Sequence, residues 1–139
     1  MFLIGFPLLI VPFVIYNMFA FLFGVTNWTT PFTSVQIISG GVWQIAPGDL
    51  LVAFSILILF VEILKSTRMG VRSIVDHMLS MLIFIAMIVE FLLVERAATS
   101  TFFLLIVIAF VDVLGGFTIT IRTAQRDIGL ETADRIVSS

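Results

Sequence analysis

Four apolar stretches dominate the chain, and short polar connections separate them. They fall at about 2–24, 48–65, 74–94 and 102–121. Each approaches the ~20 mostly apolar residues that cross a bilayer as a helix. The apolar run of the second is the shortest, and Lys65 at its end is expected to snorkel its amine to the interface. Pro7 and Pro12 in the first stretch predict a kinked helix, because the carbonyls they free need other partners. Pro47-Gly48-Asp49 opens the second, with Asp49 suited to the N-cap position.

The only long interruption is the segment 25–47, which holds VTNWTTPFTSVQIISGGVWQIAP. Two apolar-rich strings, SVQII and VWQIA, flank Ser39-Gly40-Gly41. Glycines between β-branched and aromatic runs signal a hairpin. The predicted fold class is therefore an all-α integral membrane protein: a four-transmembrane-helix bundle with a short β-hairpin in its first outer loop. Trp28 and Trp43 are the expected interfacial anchors. The triplet Asn27-Trp28-Thr29 fits the glycosylation pattern, which arises often by chance. Residues 122–139 read as a polar tail with weak helical amphipathicity, interrupted by Gly129.

Composition strengthens this picture. The 139 residues are 60% hydrophobic and 12% charged, against about 45–50% and about 25% in soluble domains. Mean hydropathy is +1.23. The first stretch lacks a positive leading region and a small-x-small cleavage site, so a retained helix is expected rather than a signal peptide. Six of the seven basic residues lie in the connection KSTRMGVRS (Lys65, Arg68, Arg72) or in the tail (Arg122, Arg126, Arg135). That bias puts both on the cytoplasmic side, with both termini cytoplasmic. A bacterial inner membrane is the expected location.

Charge and residue usage narrow the function classes. A net charge of −2 gives no basic surface for nucleic acid, and zero cysteines exclude disulfides and thiolate chemistry. One histidine per chain excludes a multi-histidine haem or metal site within one copy. No nucleophile motif or phosphate loop occurs, so neither an enzyme nor a bound cofactor is expected. The lipid bilayer is one partner, and a homo-oligomer or a larger membrane complex is the other.

The chemistry-bearing residues are acids inside the spans, where an aspartate costs about 2.5–3.5 kcal/mol to insert. Asp112 lies near the midplane of the fourth span, beside Gly115 and Gly116. Small residues permit close helix approach, which points Asp112 into the bundle or an oligomer seam. Glu90 lies near the outer end of the third span, and Asp76 shares its face four turns away. His77 has the side chain that titrates nearest neutrality. Glu62 is explained by a surface pairing with Lys65 one turn on. Two readings follow: the acids lock helix packing in a non-catalytic, self-associating or accessory subunit, or they step along a proton or cation path formed by an oligomer.

Overall fold

The computed structural model describes residues 6–67 and 71–138. Helix α1 (Ile10–Asn17) runs into a π-helical turn, Met18–Leu22. Strands β1 (Thr33–Gln36) and β2 (Val42–Ile45) follow, then helices α2 (Pro47–Ser66) and α3 (Val71–Leu93). A 3-10 turn, Glu95–Ala97, leads into α4 (Ser100–Ser138).

Three helical segments are long and apolar enough to cross a membrane: Pro47–Ser66, Ile74–Leu93 and Ser100–Thr118. The chain is thus a helical membrane protein. The apolar helix Ile10–Leu22 is shorter than the expected first span; its 13 residues reach only about 20 Å. Residues 2–5 of that span lie outside the described residues. The prolines account for the late start. Pro12 lacks an N–H and would break a helix interior, but it is tolerated in the first turn, where amides have no intrahelical acceptor. Gly24, at φ +66, ends the segment in a conformation open to glycine.

The hairpin forms around the expected glycines. Val35 pairs with Trp43 and Gln36 with Val42 in antiparallel register. Ile37 and Ile38 leave the first strand to make the turn: Gly40 N–H donates to the Ile37 carbonyl at 2.9 Å, and Gly40 takes φ +92. Helix α2 starts earlier than Asp49 suggested. Pro47 occupies the first helical position, which its fixed φ favours. Asp49, two residues further in, accepts from Ala46 N–H at 3.1 Å, the back-reaching half of a capping box. Thr99 caps α4, accepting from Phe102 N–H at 3.1 Å through its hydroxyl. The polar tail is a helical extension, and α4 continues to Ser138.

Helix α4 is the central element. Half (50%) of its apolar window is buried, against 22% for α2 and for α3. Both of those helices pack mainly on α4 rather than on each other. Their outer faces carry exposed apolar side chains such as Leu57, Phe60, Leu82 and Leu92, as a lipid-facing surface requires.

An aromatic knot closes one end of the bundle. The fully buried Tyr16 stacks on Trp28, with centroids 4.6 Å apart, and meets Phe102 at 4.8 Å. Its hydroxyl donates to the Arg96 carbonyl at 2.8 Å and lies 2.7 Å from the Thr99 hydroxyl. A phenol has one proton to donate, so Thr99 is the donor in the second bond. Arg96 in turn donates to the Ala20 carbonyl at 2.6 Å, satisfying backbone in the π-helical turn.

Candidate functional site

The opposite end holds a polar cavity. Glu62 and Ser66 reach it from α2, Asp76, His77 and Ser80 from α3, and Asp112 from α4. Helical spacing explains the convergence. Residues three or four apart share a face, so Glu62 with Ser66, Asp76 with Ser80, and Asp112 with Gly116 each present a polar or small pair inward. All six lining residues are buried.

Lys65 is the local counter-charge. Its amine lies 3.0 Å from Glu62 Oε1 and 3.1 Å from Asp76 Oδ2, and it also donates to the Phe6 carbonyl. Glu62 Oε1 accepts a further bond from Leu8 N–H at 2.6 Å. The expected surface pairing of Glu62 with Lys65 is therefore corrected: Glu62 is 4% exposed. Lys65 does not snorkel outward either. Its three ammonium hydrogens find three inward acceptors, and its side chain is 9% exposed. The network joins the segment before α1 to both α2 and α3.

Asp112 shares the cavity lining with Ser80, Glu62 and Asp76. The midpoint of the window Ser100–Thr118 is Ala109, so Asp112 sits about 4.5 Å beyond it, towards the polar end. The His77 ring stacks on Phe117, with centroids 5.4 Å apart and planes at 13°. Gly116 makes room for it: a Cβ there would overlap the imidazole, falling 2.6 Å from Nε2 and 2.8 Å from Nδ1. Gly115 differs, with nothing within 4 Å of its Cβ position. The cavity is about 10 Å³, the space of roughly one water. Two buried polar atoms of its lining residues, Asp76 Oδ1 and His77 Nε2, have no hydrogen-bond partner among the described residues.

The candidates thus separate. Glu62, Asp76, His77, Asp112 and Gly116 come together at one place. Glu90 does not join them: its carboxylate accepts from Asn17 Nδ2 at 3.3 Å, towards the aromatic end. Between the two lie Leu9, Pro12, Phe13, Met87, Leu105 and Ile108, with Ser55, whose hydroxyl donates to the Leu51 carbonyl at 2.7 Å. Trp28 packs inside the aromatic knot at 4% exposure, whereas Trp43 stands half exposed on the hairpin. Asn27, whose side-chain oxygen accepts from Thr29 and Thr30 N–H, forms an Asx turn before the hairpin.

Sequence reasoning missed the inward turn of Lys65 and the participation of Ser66 and Ser80. The available signal was their i+3 or i+4 spacing from acids. Among the described residues, no group of three His, Asp or Glu side chains is placed to hold a metal ion. Compared with known protein families, curated proteins and solved structures, the chain matches none.

Proposed function

We propose that the protein is a small, non-catalytic, four-span membrane protein that works as a self-associating or accessory subunit of a membrane complex. One observation carries this reading: polar groups inside the spans tie separate segments together. Glu62 bonds Leu8, Lys65 bridges to Asp76, Tyr16 links the α3–α4 turn, and Asn17 bonds Glu90. Gly115, with open space beside it on α4, is a place where a neighbouring helix fits. The proposed location is a bacterial inner membrane with both termini cytoplasmic, following the Lys and Arg bias.

Purification in mild detergent tests the proposal. A homo-oligomer or a stoichiometric partner is expected; a lone monomer across detergents would overturn it. A second reading, an oligomeric proton or cation conduit, gains support from the convergence of Glu62, Asp76 and Asp112 on one cavity. It predicts a pH-dependent flux into reconstituted vesicles that Asp112→Asn abolishes, and no flux across a broad pH range would refute it.

A further inference from the structure

We propose that the cavity between α2, α3 and α4 is a proton-binding centre, in which a single water bridges Asp76 Oδ1 and His77 Nε2. Three helices bring charged and titratable groups to it. Helix α2 contributes Glu62 and Lys65, α3 contributes Asp76 and His77, and α4 contributes Asp112. The described part of the segment before α1 contributes the Leu8 N–H and the Phe6 carbonyl. Among the described residues, three carboxylates facing one ammonium would leave two uncompensated negative charges (3 − 1) at buried positions. Burying unpaired charge is strongly unfavourable. Two bound protons restore neutrality.

The geometry supplies places for them. His77 is 7% exposed and Asp76 is 8% exposed, both line the cavity, and each keeps one buried atom without a partner among the described residues. Oδ1 is an acceptor, and Nε2 donates or accepts according to its protonation. A cavity of about 10 Å³ holds one water, which has the donors and lone pairs to serve both atoms. A proton entering on Nε2 passes through that water by Grotthuss exchange: the water accepts it from Nε2 and donates another of its own to Oδ1. No heavy-atom bond forms or breaks. Asp112, and Glu62 paired with Lys65, complete the set of carboxyls at the cavity. Helix α2 ends at Ser66, itself a lining residue, so the cavity lies at the end of that helix.

This centre depends on neither functional reading. A protein that binds protons without passing them would fail the conduit reading and leave this inference intact. The test uses the full chain in lipid nanodiscs, read by infrared difference spectroscopy between about pH 5 and about pH 9. A protonated-carboxyl stretching band is expected to titrate. Asp76→Asn and Asp112→Asn each should diminish it, and His77→Gln should move its midpoint by about one pH unit. Glu90→Gln, outside the cluster, should leave that midpoint in place. The 15N resonance of His77 Nε2 should follow the same midpoint in the unmodified protein. If either aspartate variant does not fold, the unmodified chain and His77→Gln decide the matter. Absence of a titrating carboxyl band, or a midpoint insensitive to His77→Gln, would overturn the proposal.

Discussion

Adjacent glycines on α4 are expected to respond to one added methyl group with opposite signs. Gly116→Ala places its Cβ inside the space of the His77 imidazole, 2.6 Å from Nε2 and 2.8 Å from Nδ1. Carbon atoms prefer about 3.5–4.0 Å, so the ring must retreat by an ångström or more. It has little room to do so, since His77 is buried and stacked on Phe117. Overpacking of this kind costs about 1–3 kcal/mol, less any gain in helix propensity. Within one chain, Gly115→Ala meets nothing within 4 Å and gains about 0.5–1 kcal/mol from replacing glycine inside a helix. That gain is common to both variants, so they should differ by the overpacking alone, about 1–3 kcal/mol. Unfolding of each in detergent, followed by far-ultraviolet circular dichroism, gives the comparison. A second arm sharpens it: His77→Ala removes the obstructing ring, so Gly116→Ala should cost much less in that background. Equal stability of the two alanine variants, or a Gly116→Ala cost unchanged by His77→Ala, would refute the assigned packing.

Lys65→Met should be among the most damaging single changes. It strands Glu62 and Asp76 without their counter-charge, a loss of about 3–5 kcal/mol for a buried pair, and a fall of under about 1 kcal/mol in a denaturant titration would contradict the network. Tyr16→Phe should destabilise by about 1–2 kcal/mol by leaving the Arg96 carbonyl and the Thr99 hydroxyl short of a partner, whereas unchanged unfolding would show those bonds to be dispensable. Gly48→Ala should be costly because its Cβ would lie 2.8 Å from the Trp28 carbonyl and against Thr101; native-like Trp28 fluorescence and stability in that variant would remove the reason for glycine there. In assembly, Asp112→Asn should retain the oligomer and Asp112→Leu should lose it, as judged by size in mild detergent, and intact assembly in both would refute a packing role for Asp112.

Much of the fold was legible because the bilayer imposes a simple rule on the chain. Apolar runs of about 20 residues announce helices, and Gly40 between two β-branched strings announced the turn. The first helix was less legible. Hydropathy continues through its prolines, but backbone hydrogen bonding does not, so the observed helix starts at Ile10. The site was legible in its members rather than its grouping. Depth along a span could be estimated for Glu62, Asp76, His77 and Asp112, yet which faces meet depends on the rotation of each helix about its own axis. The near-uniform apolarity of these helices hides that rotation. Hence the sequence alone places Lys65 at the surface and Glu90 in series with acids from which an apolar layer separates it. The stacking of Trp28 on Tyr16 is a further contact that residue type alone does not announce.

The unbroken course of α4 gives the molecule a mechanical property. The helix passes Asp112 and continues to Ser138, 26 residues further on, a distance of about 39 Å at the usual rise. A rigid rod of that length magnifies what happens at its pivot. Tilting α4 by about 10° where it meets His77 would sweep its far end through about 7 Å. So small a tilt at the buried end thus moves the exposed end by more than the width of a side chain.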